Sequence, residues 1–264
     1  MRPSLRCSPR QSRSTATGGL KPSSTDQPLP DMDIAEAITL EAARRLGLRV
    51  ASTSSWQASD AGLSALVVER YDRRYDDAGS VRRLHQEDLT QALSVPPEKK
   101  YQDQGGPGVG KVGELIRQRI PTRDQHRVGL AFFEGFVFNI ATLGTDAHAK
   151  NYSLLLDQDR VELAPLYDLV SAALYYDEKK DSRMLRPSMW VDGERTFERT
   201  TPENLAREGI RLGLTRDDAD AAISRILAGA SAALTGAAAS AGRDDMADAA
   251  ERNLERFSPA RFAT

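Results

Sequence analysis

Sulfur chemistry is almost missing from this 264-residue sequence: Cys7 is its one cysteine, so no intrachain disulfide and no cysteine-rich zinc site can form. Histidine is nearly as scarce, and the three present, His85, His126 and His148, lie in unrelated segments, which speaks against a histidine-rich metal centre. A large excess of positive charge is lacking too; the net charge of −2 argues against binding nucleic acid through bulk charge. No run reaches the roughly 18–20 apolar residues of a membrane span. The longest apolar region, Val128 to Leu143, is interrupted by Glu134 and Asn139 and reads as a buried helix. A reducing, cytoplasmic setting is the expectation, with no membrane partner.

What remains suits a globular chain: 40% apolar against 28% charged residues leaves material for a core. Acids are absent from residues 1–19, which hold Arg2, Arg6, Arg10 and Arg13 among serines. That composition occurs in transit peptides. Weak periodicity and few apolar residues favour a disordered tail, or a start codon placed in the wrong position. Gly18 to Pro30 reads as a linker. Ile34, Ile38, Ala42 and Leu46 recur every four residues and predict a helix over 34–48. Ala65 to Tyr71 (ALVVERY) predicts a strand, Asp76 to Ser80 a turn, Gln86 to Leu93 a short helix and Pro96 to Gly110 an ordered loop. Ile116 to Leu143 is predicted helical with a break near Pro121, and Gly144 is expected to end it. Tyr152 to Leu156 and Val161 to Leu163 predict a hairpin turning at 157–160, and 177–186 a charged, exposed stretch. Thr201-Pro202 is a helix start, Thr215 with Asp218 resembles a capping box, and Ala219 to Ala241 has high helix propensity. A little β followed mainly by helix gives an α+β class.

The densest polar cluster is Thr145-Asp-Ala-His-Ala-Lys-Asn151, between an apolar helix and an apolar strand. Catalytic groups are often carried on such a short loop between rigid elements. Asp146 and Asn151 have the Asp-x4-Asn spacing of the protein-kinase catalytic loop, where the aspartate takes the substrate hydroxyl's proton and the asparagine offers magnesium a neutral oxygen. Asp168, beyond the hairpin, stands where kinases carry their main metal-binding carboxylate, and hard oxygens suit magnesium. Each residue alone has a simpler reading: Asp146 as a turn cap, Asn151 at a helix end, Asp168 as a helix cap. An Asp-x-His metal hydrolase built on Asp146 and His148 lacks further ligands.

TDAHAKNYSLLL followed by LAPLYDLVSA resembles the catalytic and metal-binding segments of HipA-type toxin kinases, as ALVVERYDRRY resembles their hinge strand and RRLHQEDLTQALSVPPEKKYQDQGGPG the block after it. The resemblance implies a protein-kinase-like fold, with a partial N-lobe and hinge over 20–75, a mainly helical C-lobe over 76–258, and a non-family tail before them. It implies Asp146 as catalytic aspartate, with His148 and Lys150 supporting the loop or the phosphates, and Asn151 and Asp168 as magnesium ligands. Glu69 and Tyr71 would sit at the adenine-binding hinge; Lys21, in GGLKPSS, resembles the strand lysine that holds ATP phosphates; and Glu36 resembles a glutamate just before the first N-lobe helix. On its own residues Lys21 reads equally as a solvated linker lysine. The family's phosphate-covering loop and N-terminal subdomain have no counterpart in this sequence, so a shortened member is expected, and Gly144 stands where many members carry Asn.

The function so implied is an ATP- and magnesium-dependent serine/threonine kinase acting on a protein. It would be the toxin of a toxin–antitoxin pair, meeting DNA chiefly through a helix-turn-helix, HipB-like antitoxin. The alternative is a truncated or inactive C-lobe that binds the antitoxin without catalysis.

Overall fold

A computed structural model describes residues 18–22, 31–58, 63–75, 79–179 and 185–262. Its elements run β1 (Gly18–Pro22), α1 (Met32–Arg45), β2 (Thr53–Ala58), β3 (Leu63–Glu69), β4 (Arg73–Tyr75), β5 (Val81–Arg83), β6 (His85–Asp88), α2 (Leu89–Ala92), α3 (Val109–Arg119), α4 (Thr122–Ala141), β7 (Ser153–Asp157), β8 (Arg160–Leu163), α5 (Pro202–Arg211), α6 (Arg216–Ser240) and α7 (Asp244–Phe257). Among the described residues three small antiparallel sheets form: β1-β3-β2, the β4-β5 hairpin, and β6-β7-β8.

The β-branched run of β3 lies at the centre of the first sheet, with Lys21 of β1 opposite Leu66 and Trp56 of β2 opposite Ala65. The α1 stripe packs against β3 on one side and α6 on another. After α1 the chain turns back, and Val50 forms a parallel bridge with Leu166, closed by Ala51 N–H to Leu166 O at 2.8 Å and Leu166 N–H to Arg49 O at 2.8 Å. That bridge fixes the segment after β8 beside α1.

α4 is the core helix. Phe132, Phe133, Phe136, Val137 and Phe138 are all buried, and Phe132 stacks on Phe136 at 6.3 Å and tilts against Tyr152 at 4.8 Å. The polar residues interrupting this apolar run have specific partners. Asn139 donates to Tyr152 Oη at 2.9 Å and to Gly135 O at 3.0 Å, and Glu134 pairs with Arg225. A buried amide so bonded avoids its desolvation penalty. α6 is long and apolar enough for a membrane span by length and composition, which the sequence reading did not expect. Its buried positions, among them Ala219, Ile223, Ile226, Ala230, Leu234 and Ala237, instead face α1, α4, α5 and α7. Alanines on that stripe let the neighbouring helices come close.

Several expectations need correcting. Gly18 and Gly19 open β1 rather than closing a tail, so the linker reading fails for 18–22; the tail at 1–17 and the linker at 23–30 lie outside the described residues, as do 76–78 of the turn and 180–184 of the charged stretch. Gln86 to Asp88 is strand: β6 pairs with the edge of β7, and only Leu89–Ala92 is helical, capped by Asp88 and Gln91. α3 starts inside the expected loop, at Val109. α4 ends with Leu143, not Gly144, in the left-handed region (φ 59°). Gly144 is needed for another reason: a Cβ there would lie 2.6 Å from Asn139 Oδ1. Thr215 caps α6 by accepting from Asp218 N–H at 3.1 Å.

Phe132→Ala is expected to destabilise the fold by about 3–5 kcal/mol through transfer and cavity costs. Ile210→Ala, at a half-exposed position, should shift it by less than about 0.5 kcal/mol. Urea denaturation with an unchanged slope checks both.

Candidate active site between the small sheet and the helical body

Four short elements bring polar groups to one place. Lys21 comes from β1, Glu36 from α1, Asp146, His148, Lys150 and Asn151 from the loop and 3₁₀ turn after α4, and Asp168 from the segment after β8. Lys21 Nζ bonds Glu36 Oε1 at 2.6 Å and Asp168 Oδ1 at 2.6 Å. The ammonium therefore joins three of these four segments, and Lys21 lies in a strand rather than a linker. Glu36 lies within the first turns of α1, not before it. Burial opposes the Lys21 charge, but the Glu36 and Asp168 carboxylates outweigh it and hold its pKa above the ordinary lysine value. For Glu36 the balance goes the other way: burial pushes its carboxyl up, more than Lys21 and the Asp168 backbone N–H bring it down.

Asn151 laces the two loops together. Its Nδ2 donates to Asp146 O at 2.9 Å and to Asp168 O at 3.4 Å, leaving Oδ1 without a protein donor among the described residues. Asp168 is in the left-handed region at φ 56°, a conformation that costs a non-glycine residue and persists only where surroundings impose it. The bridge at Leu166, the Asn151 amide and the Lys21 ammonium are those surroundings. The Asn151 side-chain amide lies against the Asp168 backbone and the Asp168 carboxylate is held by Lys21, so both residues bring an oxygen donor to the same junction. This set fits magnesium, which takes one or two protein carboxylates and fills its shell with water and phosphate oxygens. Among the described residues no cluster of three or more His, Cys, Asp or Glu side chains gathers.

Asp146 is the exposed member: 60% of its side-chain surface is open. Its Oδ1 accepts a hydrogen bond from Tyr101 Oη at 2.5 Å and lies 3.7 Å from His148 Nε2. Burial and the adjacent Asp146 carboxylate push the Tyr101 hydroxyl's pKa up, so it stays a donor. The His148 ring is buried, edge-on to Tyr101 at 5.2 Å. Burial lowers its pKa further than Asp146 raises it, which keeps the imidazole neutral near pH 7. Among the described residues its Nδ1 has no hydrogen-bond partner. The Lys150 backbone carbonyl accepts from Tyr167 Oη at 2.8 Å, while its ammonium forms no ion pair among the described residues.

Lys21 and Glu36 close one end of a cleft of about 210 Å³ whose walls include Val68, Glu69, Tyr71 and Tyr167. Tyr71 and Tyr167 stack at 5.6 Å and present aromatic surface. Glu69 N–H is engaged by Ser52 O at 2.8 Å. The structure therefore brings Lys21, Asp146, Asn151 and Asp168 into one bonded network and places Glu69 and Tyr71 on the adjoining cleft. His148 is buried with Nε2 3.7 Å from Asp146 Oδ1, and the Lys150 carbonyl is bonded by Tyr167. Tyr101 and Tyr167 escaped the sequence reading. The run of glycines after Tyr101 was the available signal, because Gly106 N–H bonds Tyr101 O at 2.8 Å and a Cβ there would collide with that carbonyl.

Lys21→Met withdraws the cation that limits the rise in the Glu36 pKa. Because the folded value lies above the ordinary 4.5, folding favours the protonated acid, and stability is lost as pH rises through the folded pKa. The variant should match the wild type near pH 4 and fall below it by about 1–3 kcal/mol near pH 8, a partly exposed partner keeping the figure low. Denaturation curves across that range check the sign.

The sequence profile of the HipA-like C-terminal domain matches residues 11–234. Y4mE of Sinorhizobium fredii, named as a candidate kinase, is 38% identical over 198 residues, covering 73% of this chain and 46% of that protein. The serine/threonine-protein kinase toxin HipA of Shewanella oneidensis is 33% identical over 160 residues, 57% of this chain and 36% of that one. The chain thus spans less than half the length of these curated relatives. Among solved structures, the Shewanella oneidensis HipA, HipB and operator DNA complex aligns with a TM-score of 0.72 at 25% identity, over 91% of this chain and 58% of that one. The Helicobacter pylori proinflammatory kinase CtkA shares the fold, with a TM-score of 0.58 at 12% identity over 93% of this chain and 89% of its own. The small sheet and the helical body are accordingly a partial N-lobe and a C-lobe of protein-kinase type, and the chain belongs to the HipA-like C-terminal domain family.

Proposed function

We propose that this chain carries the catalytic centre of a HipA-type serine/threonine kinase, which transfers the γ-phosphoryl group of ATP to a protein hydroxyl. The observation that carries this reading is the Lys21–Glu36–Asp168 network, at 2.6 Å on both sides, beside the Asn151 amide. A lysine paired to a helix glutamate and a metal-binding aspartate beyond a hairpin are the parts a kinase must have in place together. Asn151 Oδ1 and the Asp168 carboxylate would hold magnesium, which neutralises charge on the phosphates when bound. Lys21 neutralises phosphate oxygens from the sheet side, and Glu36 keeps it aimed. The aromatic wall of Tyr71 and Tyr167 suits a purine ring. Asp146 already accepts a hydrogen bond from one hydroxyl, that of Tyr101, and its exposed carboxylate accepts the substrate hydroxyl's proton as the new P–O bond forms and ADP leaves. In the cell the protein would act in the cytoplasm as a toxin, with a HipB-like antitoxin as partner and operator DNA reached through it.

A second reading, a non-catalytic module that binds the antitoxin, is favoured by one observation: the Asp168 carboxylate is engaged by Lys21. The two readings separate on nucleotide binding. Under the kinase reading, calorimetry finds magnesium-dependent ATP binding. Asp168→Asn weakens that binding about 10–100-fold. Asp146→Asn leaves the dissociation constant within about threefold while transfer falls about 10²–10⁴-fold. No binding by the wild type would leave the module reading standing.

A further inference from the structure

A second cleft, of about 680 Å³, opens beside the 145–151 loop and is lined by Tyr101, Thr145, Arg186, Ser188, Trp190 and Arg195, with Asp103. It is tied to the loop at two points. Tyr101 Oη donates to Asp146 Oδ1 at 2.5 Å, and Ser188 Oγ donates to Thr145 O at 2.6 Å. Its two walls are tied to each other as well, since Gln102 N–H bonds Ser188 O at 3.2 Å and Gln102 Oε1 accepts from Trp190 N–H at 2.8 Å. The cleft therefore borders the Asp146 carboxylate through Tyr101 and Thr145.

Its charge is uneven. The exposed Arg195 guanidinium lies over the Trp190 ring at 4.0 Å and has no carboxylate partner among the described residues. Arg186 is on the same lining, and the Lys100 ammonium sits over the Tyr101 ring at 4.8 Å. Among the described residues of the lining, Asp103 is the one acid. We propose that this cleft binds the acceptor segment of the protein substrate in extended form. The acceptor serine or threonine hydroxyl takes the place of the Tyr101 hydroxyl at Asp146, and a flanking acidic side chain pairs with Arg195. Tyr101 holds the acceptor position until substrate arrives. This inference rests on the kinase reading of the Asp146 loop.

The chain's two tryptophans are Trp56 and Trp190, so Trp56→Phe leaves Trp190 as a reporter inside the cleft. A pentapeptide with serine between two glutamates is titrated against that variant, and its glutamine counterpart is run in parallel. The glutamate peptide should change Trp190 emission and bind about five- to tenfold more tightly, a preference that fades in high salt. Arg195→Ala should abolish the preference and Arg195→Lys should keep most of it. Equal binding of the two peptides, no response from Trp190, or a preference that survives Arg195→Ala would each overturn the assignment. Magnesium–ATP binding by the same protein separates the two claims. A cleft that fails beside intact nucleotide binding sinks only this inference, whereas acidic-peptide binding without nucleotide binding sinks only the kinase reading.

Discussion

One ammonium group organises this molecule. Lys21 joins a strand of the small sheet, the first helix and the loop after the β7-β8 hairpin through two contacts of 2.6 Å. Partly buried charges are tolerated only when matched, and here a single cation stands between two carboxylates. The pKa shifts record that arrangement: the ammonium is held charged, while Glu36, the more buried acid, is pushed up despite its partner. Without the lysine the two lobes would meet across like charges. With it, one of the two carboxylate charges is matched.

Around that contact, hydrogen bonds set the geometry of the loops. The Asn151 amide spans Asp146 and Asp168, the Val50–Leu166 bridge positions the latter, and the left-handed conformation of Asp168 is imposed by both neighbours. The aromatic core beneath supplies stiffness: Tyr152, which follows Asn151, is buried against Phe132 and bonded by Asn139. A chain of contacts thus runs from the centre of α4 to the polar loop.

Most of the helical body was legible in the sequence because its signals are local. Four-residue apolar spacing marked α1, Pro121 marked the break between α3 and α4, and Thr201-Pro202 marked the start of α5. What was misread depended on partners far along the chain. The residues 18–22 look like linker until β3 pairs with them, and Gln86 to Asp88 look helical until β7 does. The loop spacing of Asp146, Asn151 and Asp168 was readable because their convergence needs only a turn and a hairpin. Lys21, 147 residues from Asp168, could be assigned only through the family resemblance. Tyr101, 45 residues from Asp146, was not assigned at all, since nothing local ties a tyrosine to that carboxylate.

In the function proposed above, Asn151 and Asp168 together hold one divalent ion beside Lys21. That claim is tested most directly by manganese, a paramagnetic stand-in for magnesium, added with a non-hydrolysable ATP analogue and followed by amide NMR. Line broadening centred on the Asn151 side-chain amide and on the backbone of Asp168 and its neighbours is the expected result. Broadening centred elsewhere, with the Asn151 amide untouched, would contradict it.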